Sequence, residues 1–446
     1  MKRYLWIISA LLFGIIIYNL NGYYFELDHL KSSVLSIMCT AIFLWVSEVL
    51  PLYITSMFAS FLLIVISDFS TKEVFHPYFD PVIMLFLGGF LLARALNKYR
   101  IDHFGAQLLL SRVGTKPSTF LLALMFFTAF LSLWISNTAS AAIMIPLSIL
   151  VLSENKLLNL PTKSSFGRSM ILGVAYAATL GGIGSIVGSP PNAIAVKYLA
   201  EINIHISFLQ WMYYTIPFVI ICLLYTWRVL IFLNPPEISV IHFQKTEVNF
   251  SKDQYLVLSV FIITVLGWLT TTLTGISSST IAMIPILLLF LFQLLDDKDL
   301  TSISWGTLLL FGGGLSLGNA LTSIGAGQWL LSFVQIYLTD VHSFIMILGF
   351  IFAGILLTMA ASNTAAAAIL IPLILPMASS LGLSSHITAI LIAIGVSLDF
   401  MIPVGTPPSA IAHSTGLVTV KEMIVNGVLI NLGGAIILAV IYYLFY

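Results

Sequence analysis

The chain has 446 residues, of which 59% are hydrophobic and 8% charged, and its 18 lysines and arginines balance 18 aspartates and glutamates. A soluble domain carries about a quarter charged residues. With 8% charged residues this chain could not form a polar shell, so its composition excludes a soluble protein. The zero net charge argues against a basic surface for nucleic acid. Apolar runs close to the roughly 20 residues of a bilayer crossing recur along the chain and predict a multi-pass protein of the cell membrane.

The first apolar run, 4–22, follows a short basic start, and no small-residue cleavage site is evident after it. We therefore expect a retained first helix rather than a signal peptide. The Gly-rich segments at 81–97 and 303–321 are interpreted as re-entrant hairpins. The other apolar runs predict helices at 32–50, 52–67, 118–135, 139–152, 168–187, 209–233, 254–272, 278–295, 343–361, 365–380, 386–404 and 424–445.

A polar linker at 234–253 divides the chain into two halves that carry the same motifs. A stretch of 12 residues that starts at Ser136 returns at Ser362 with 10 identities. A Gly-Ser-Pro-Pro stretch at Gly188 returns as Gly-Thr-Pro-Pro at Gly405, and a weaker glycine-rich pair precedes both. The chain is therefore predicted to hold two copies of one unit. Matching interruptions of apolar sequence in two halves point to a central binding site.

The distribution of charge predicts how the two copies are oriented. Segment 94–116 holds five basic residues and one acidic residue, whereas 296–340 holds one basic residue and four acidic ones. Because basic residues concentrate on the cytoplasmic side, we place 94–116 inside and 296–302 outside. Equivalent segments on opposite faces indicate an inverted repeat. The fold class predicted is an all-α polytopic membrane protein with two inverted-topology repeats, re-entrant hairpins and broken helices.

The repeated breaks carry hydrogen-bonding groups without formal charge. Ser136–Thr138 and Ser362–Thr364 supply hydroxyls and carboxamides ahead of helical sequence, and Ser189 and Thr406 each precede Pro-Pro. These residue types suit helix N-termini, which attract a small anion. Carbonyl groups on the other side of each break suit a hard cation such as Na⁺. One such motif alone would favour interhelical hydrogen bonding, but its duplication favours a binding site.

With these motifs the chain resembles the divalent anion/sodium symporter family, which includes the INDY-type dicarboxylate transporters. The segment Trp45–Pro51 is similar to an early scaffold segment of that family. The resemblance covers nearly the whole chain and implies a homodimer that transports small divalent anions with Na⁺ by an elevator mechanism. It implies that substrate carboxylates are bound by Asn137, Thr138, Ser189, Ser362, Asn363, Thr364, Thr406 and Pro407.

The resemblance also implies two sodium sites. One would lie among Ser132, Ser136, Asn137 and Gly188, and the other among Thr358, Ala361, Asn363 and Gly405. The domain layout that follows is an N-terminal helix at 1–30, a first repeat at 31–233, the linker at 234–253 and a second repeat at 254–446. Each repeat would combine scaffold helices with half of a transport domain.

Three ionisable residues near the motifs leave the coupling open. Lys197 and His413 lie at near-equivalent places in the two repeats, and Asp399 lies in an apolar run where a small neutral residue is expected. One interpretation is hydrogen bonding at helix ends, with Asp399 as a partner. The other is that fixed cations replace Na⁺, which would make the protein a Na⁺-independent dicarboxylate exchanger. We favour Na⁺ symport of a C4–C5 dicarboxylate and keep exchange, sulfate transport and tricarboxylate transport as alternatives.

Other functional classes fit less well. The breaks contain no His, Cys or carboxylate from which an enzyme could build a catalytic site. A proton antiporter would centre on buried carboxylates, and its two candidates, Asp399 and Glu48, do not recur in the other repeat. The paired breaks favour alternating access over a channel.

Overall fold

The computed structural model describes residues 2–101, 104–105, 107, 113–159, 164–243, 250–338 and 341–445. Every regular element within these ranges is helical. The helices of the first half are α1 (Lys2–Tyr24), α2 (His29–Ser47), α3 (Leu52–Ile66), α4 (Thr71–Phe75), α5 (Pro81–Lys98), α6 (Pro117–Ser132), α7 (Asn137–Glu154), α8 (Ser165–Ile183), α9 (Pro190–Glu201) and α10 (Phe208–Leu233), with 3₁₀ turns at His76–Phe79 and Leu157–Asn159.

The second half is built in the same way. Its helices are α11 (Lys252–Leu269), α12 (Thr271–Thr274), α13 (Ser278–Ile281), α14 (Met283–Leu291), α15 (Asp297–Thr301), α16 (Trp305–Ser323), α17 (Ala326–Leu338), α18 (Ser343–Ala360), α19 (Asn363–Ser380), α20 (Ser385–Gly395), α21 (Pro407–Ser414) and α22 (Val420–Phe445). Nine of the described helices are long and apolar enough to cross a bilayer. The predictions of an all-helical fold and a multi-pass membrane protein are confirmed.

Several helices begin at polar capping residues that lie between apolar runs. Ser70, Ser207 and Ser251 each accept a hydrogen bond from the third residue of the helix, whose Glu or Gln side chain bonds back to the capping residue. Asp28 caps α2 by accepting from the backbone of Lys31. Such caps satisfy amide groups that the first helical turn leaves free. The polar residues between apolar runs therefore mark helix starts, which is why sequence patterns located most of the spans.

The Gly-rich segments differ from their prediction. Segment 81–97 is not a re-entrant hairpin, because Pro81–Lys98 is one continuous helix, α5. In the second half, α16 is followed by a bend of 61° before α17. The glycines of α5 allow close packing instead of breaking the helix. A Cβ on Gly88 would lie 2.9 Å from the Cβ of Ala282, which is closer than side chains approach one another.

Two pairs of helices are separated by a break at the Ser-Asn-Thr motifs. Helices α6 and α7 are separated by 133–136, and α18 and α19 by 361–362. In both cases the apolar sequence continues across the break, as the duplicated motif predicts.

The described chain folds into two compact units, and each draws on both sequence repeats. The first unit contains Met1–Met84, Ala193–His205 and Ser304–Val396, and the second contains Leu85–Asn192, Ile206–Ile303 and Ser397–Tyr446. The domain boundaries derived from the sequence repeats follow chain order instead and stay a prediction.

In the first unit, α16 packs against α3 and α19 around an apolar core that includes Trp45, Leu63 and Leu317. The buried indole of Trp45 donates a hydrogen bond of 3.2 Å to the carbonyl of Leu52. This bond ties the end of α2 to the start of α3. Between them, Glu48 takes a left-handed conformation with φ of 47°. Glu48 is thus part of the turn between α2 and α3.

The second unit is organised around α8. This helix packs against α6, α7, α10 and α21, and almost all of its residues are buried. Small residues bring the neighbouring backbones close together. A Cβ on Gly181 would lie 2.5 Å from the Cα of Ala129 on α6. The helix that leads into the first Gly-Ser-Pro-Pro break is therefore held on every side by protein.

An ion-pair cluster contradicts part of the predicted orientation. Arg94 Nε and Lys98 Nζ lie 2.8 and 2.6 Å from the two carboxylate oxygens of Asp299. The end of α5 and segment 296–302 are therefore on the same membrane face. The prediction that 296–302 lies opposite 94–116 is wrong.

The error comes from comparing segments that are not equivalent. The glycine repeat aligns Gly88 with Gly313, so the counterpart of 94–116 is 319–341, which contains no Lys or Arg. Asp296–Asp299 instead precede α16, the counterpart of α5. We expect α16 to begin on the face where α5 ends, which retains the inverted repeat. Asp102, Arg112 and Asp340 of these charged segments lie outside the described residues.

Cysteine labelling tests this orientation in a background without Cys39 and Cys222. A cysteine at Asn97 and one at Lys298 should react with an impermeant thiol reagent from the same face, since the ion-pair cluster joins their segments. A cysteine at Gln328, beyond α16, should react from the opposite face. Labelling of the first two positions from opposite faces would contradict the cluster.

The Asp299 cluster also predicts a pH-dependent contribution to stability. Burial by itself would raise the pKa of the Asp299 carboxyl, but hydrogen bonds from Lys98, the Asp296 backbone and Arg94 outweigh it and hold the pKa below its ordinary value of 3.8. A carboxyl with a lowered pKa stabilises the fold above its ordinary pKa, and the contribution is lost as the pH falls through the folded-state value. Asp299→Asn should therefore lower the free energy of unfolding at pH 7 by about 1–3 kcal/mol. The loss would be measured as a lower melting temperature in detergent.

Asp297→Asn is the matched control, because Asp297 lies exposed on the same short helix. The Asp299 effect should shrink as the pH falls below 3.8, the ordinary pKa of the group. Equal melting temperatures for the two variants at pH 7 would count against the stabilising role of the cluster.

Candidate functional site

The first Ser-Asn-Thr motif forms the start of α7. Ser136 is the N-cap residue, with φ of −63° and ψ of 149°, and its hydroxyl accepts a hydrogen bond of 3.2 Å from the backbone N–H of Ala139. Asn137 and Thr138 occupy the first turn, where backbone N–H groups have no carbonyl partner within the helix. Ser136 therefore shapes the break, while the free amides of the first turn make it a suitable place for an anion.

Oxygen atoms from three chain segments meet beside this break. Ser132 Oγ lies 2.8 Å from the carboxamide oxygen of Asn137 and 2.6 Å from the carbonyl oxygen of Ala178. If the Asn137 amide turns its nitrogen to this side, it donates to Gly188 O at 3.0 Å and to Ala178 O at 3.2 Å. Ser132, Asn137 and Gly188 are thus brought together, as the first predicted sodium site requires.

The two orientations of the Asn137 amide have different chemical meanings. With the nitrogen turned inward, the cluster is closed by hydrogen bonds. With Oδ1 turned inward, four oxygen atoms face one another, from Ser132, Asn137, Ala178 and Gly188. The single hydroxyl hydrogen of Ser132 can bond to only one of the other oxygens, so this orientation favours a cation among them. Oxygen is the ligand that hard cations take in proteins. The residues present therefore fit a Na⁺ ion.

Two glycines leave the room that this cluster needs. A Cβ on Gly182 would overlap the Asn137 carboxamide. A Cβ on Gly188 would lie 2.6 Å from the carbonyl oxygen of Gly182 and 2.8 Å from that of Ser132. Asn192, which sequence reasoning did not single out, holds the loop by donating to Gly182 O at 2.8 Å and to Ser185 O at 2.7 Å. Its place directly after Ser-Pro-Pro was the available signal.

The Pro-Pro breaks begin short helices. Ser189 is buried ahead of Pro190, the first residue of α9. Thr406 is the N-cap of α21, and its hydroxyl donates to Ser409 Oγ at 3.0 Å and accepts from the Ser409 backbone at 3.4 Å. Pro407 follows at the first helical position, where its missing N–H costs nothing. Helix α21 packs against α7 and α8, so Thr406 and the first Ser-Asn-Thr motif belong to the same compact unit.

The second Ser-Asn-Thr motif repeats the local geometry of the first within the other compact unit. Thr358 Oγ1 donates to Asn363 Oδ1 at 2.6 Å, the counterpart of the contact between Ser132 and Asn137. Ser362 accepts from the Ala365 backbone at 3.3 Å, as Ser136 does from Ala139. Ala361 is the C-cap residue of α18, and Thr364 lies buried in the first turn of α19. The sequence repeat is therefore a repeat of hydrogen bonds.

Lys197 makes contacts typical of a helix end. Its ammonium group donates to Asn319 Oδ1 at 2.6 Å, pairs with Glu201 at 2.5 Å and lies 4.5 Å from the centre of the Tyr198 ring. A positive charge that is already neutralised by a carboxylate is poorly suited to replace Na⁺. These contacts support the helix-end interpretation of Lys197.

His413 and Asp399 differ from each other in their surroundings. The ring of His413 is hydrogen-bonded to the carbonyl of Val418 at 3.1 Å, again near a helix end. Asp399 was expected to be a partner in such contacts, and this expectation is wrong. Within the described part of the chain, neither carboxylate oxygen of Asp399 has a hydrogen-bond partner. The side chain is buried against Gly405 of the second predicted sodium site.

Three curated relatives are similar to this chain over most of their length. A protein of Haemophilus influenzae named "uncharacterized transporter" is 33% identical over 434 residues, which cover 93% of this chain and 92% of that protein. The sodium-dependent dicarboxylate transporter SdcS of Staphylococcus saprophyticus is 29% identical, covering 97% of this chain and 90% of the relative. The protein of the same name from Staphylococcus aureus strain USA300 is 29% identical, with 90% and 83% covered.

A solved structure agrees in fold. The Alcanivorax borkumensis YdaH transporter, described as having an unusual topology, superposes with a TM-score of 0.55 at 14% identity, over 84% of this chain and 88% of that one. The family model described as "sodium:sulfate symporter transmembrane region" matches residues 3–446. This family consists of membrane transporters and not of enzymes. With the duplicated motifs and a family match along nearly its whole length, the chain belongs to the sodium:sulfate symporter, or divalent anion/sodium symporter, family.

Proposed function

We propose that the protein is a Na⁺-coupled secondary active transporter of C4–C5 dicarboxylates. The observation that carries the proposal is the duplicated oxygen contact, Ser132 to Asn137 and Thr358 to Asn363, each at a helix break. A duplicated site with uncharged donors and oxygen ligands fits an elongated dianion together with monovalent cations. Two relatives that carry the name sodium-dependent dicarboxylate transporter support the same substrate class.

The substrate would be held by the first turns of the broken helices. Backbone N–H groups at a helix N-terminus attract negative charge without a formal cation. On this proposal, Asn137, Thr138 and Ser189 donate to one carboxylate. The second carboxylate of the substrate would be bound by Ser362, Asn363, Thr364, Thr406 and Pro407.

Sodium ions would supply the positive charge that the breaks lack. A dianion leaves water at high cost unless opposite charge accompanies it, and the breaks contain no Lys or Arg. We propose one ion at Ser132, Ser136, Asn137 and Gly188 and another at Thr358, Ala361, Asn363 and Gly405. Bound cations would both neutralise the substrate and hold the helix starts in place.

Na⁺-independent exchange is the competing function. It requires that Lys197 and His413 supply the positive charge, but Lys197 is paired with Glu201 and His413 with a backbone carbonyl. These contacts favour symport. The elevator movement and the homodimer are proposed from the family resemblance alone.

The substrate-binding role predicts the effect of truncating the motifs. Asn137→Ala and Thr364→Ala should each reduce uptake of labelled succinate in proteoliposomes about 10- to 100-fold, the loss expected for one hydrogen bond to a charged group. Ser153→Ala, an exposed position further along α7, is the control and should keep full uptake. Full activity of both motif variants, with normal expression, would refute the assignment.

Whether transport is coupled to Na⁺ can be tested by asking which gradient drives uptake. Empty proteoliposomes should accumulate labelled succinate when an inward Na⁺ gradient is imposed and should not when choline replaces Na⁺. Excess unlabelled malate should compete, whereas sulfate and citrate should compete poorly. Uptake that needs preloaded dicarboxylate and ignores Na⁺ would establish exchange instead. Stronger competition by sulfate or citrate would reassign the substrate.

A further inference from the structure

The carboxylate of Asp399 is buried at the break between α20 and α21, and no described residue forms an ion pair with it. The residue is 0% exposed, and both of its carboxylate oxygens lack a hydrogen-bond partner among the described residues. Taking a carboxylate out of water costs several kcal/mol unless a positive charge or hydrogen-bond donors replace the solvent. Such a group in a membrane protein points to a bound cation.

The carboxylate is directed at the backbone of the break. A Cβ on Gly405 would overlap the carboxyl group of Asp399, so the two residues are in direct contact. Gly405 is one of the residues of the second proposed sodium site. A glycine is needed there because any side chain would occupy the space that the carboxylate fills.

Among the described residues, the charged and titratable groups on α8 and α21 do not supply the missing partner. Arg168, at the start of α8, pairs with Glu422 at 3.0 Å, and His413 on α21 bonds to a backbone carbonyl. Tyr176 on α8 lies close, since its ring is 5.1 Å from that of Phe400. Its hydroxyl is buried and also lacks a partner within the described part of the chain. Among the described residues of α8 and α21, the hydroxyl oxygen of Tyr176 therefore lies near Asp399, but no cation there neutralises the carboxylate.

The internal repeat shows what is unusual about this position. The alignment that pairs Gly188 with Gly405 also pairs Gly182 with Asp399. In the first repeat, the space beside Gly182 is filled by the neutral carboxamide of Asn137. In the second repeat, the equivalent residue itself supplies a carboxylate. The two cation sites are thus chemically unequal, one neutral and one anionic.

We propose that Asp399 is a direct, anionic ligand of the Na⁺ ion at the Gly405 break. The proposal rests on the Na⁺ coupling proposed above and adds a charged oxygen ligand beside Gly405. A formal negative charge raises the affinity of an oxygen site for a hard cation. Bound Na⁺ in turn removes the cost of the buried charge, so ion binding stabilises the folded protein.

The test is Na⁺-dependent thermal stability of the purified, full-length protein, measured in detergent without substrate. Asp399→Asn keeps the shape of the side chain and removes its charge. The Na⁺ concentration for half-maximal stabilisation, at constant ionic strength in choline chloride, should rise at least about tenfold in this variant. In Na⁺-free buffer the variant should melt at the same temperature as the wild type or higher, because no buried charge remains. If the Asp399→Asn variant does not fold, Asp399→Ala serves as a second variant, for which we expect the same results.

Two controls separate this inference from the proposed function. Ser132→Ala should weaken the response to Na⁺ at the other site while leaving the effect of Asp399→Asn in place. A wild-type protein that responds to Na⁺ while both Asp399 variants keep its half-maximal concentration within twofold would overturn the role of Asp399 alone. A wild-type protein with no response to Na⁺ would overturn the Na⁺ coupling together with this site. Stabilisation by acid pH that Asp399→Asn abolishes, with the Na⁺ response unchanged, would assign a proton to the carboxylate and overturn the Na⁺ ligand.

Discussion

The fold depends on one constraint, which is that polar groups freed by a helix break at membrane depth must find partners inside the protein. Ser136 and Ser362 each cap the helix that follows their break. Asn137 and Asn363 each contact a hydroxyl from the helix that precedes it. Because of these local bonds, the chain can break between two apolar helices without exposing unpaired backbone groups to lipid. The groups that remain free are backbone amides on one side and oxygen atoms on the other, which is what a site for anions and cations together needs.

Much of this arrangement could be predicted from the sequence because it depends on residues that are close along the chain. The duplicated Ser-Asn-Thr motif located both breaks, and Ser132 and Thr358, which the sequence assigns to the sodium sites, each contact the Asn of their motif. Polar caps such as Ser207 marked helix starts. These features depend on neighbours along the chain, so one sequence is enough to find them.

What the sequence did not reveal depends on contacts between distant residues. The sequence predicts a re-entrant hairpin at 81–97, although Gly88 there allows close packing between α5 and Ala282. The face on which 296–302 lies is decided by a bond over about 200 positions, from Lys98 to Asp299, and not by the local charge count. Asp399 was noticed for its charge, but the missing partner became visible only in the folded chain. The roles of Asn192 and of Gly182 likewise follow from a loop that returns to Asn137.

The burial of α8 has a consequence for how the protein is made. Among the nine candidate spans, Ser165–Ile183 has the lowest mean hydropathy, yet 94% of it is buried inside the protein. A segment that touches little lipid has no need for a strongly apolar surface, and its small residues serve packing instead. During synthesis, however, it must enter the bilayer with the weakest hydrophobic signal of the set. We therefore expect its insertion to depend on the hairpin α6–α7, which leaves the ribosome first and offers the surface on which α8 packs. The loop of the first proposed sodium site is then assembled as a cooperative step of membrane insertion, rather than by an independently inserted helix.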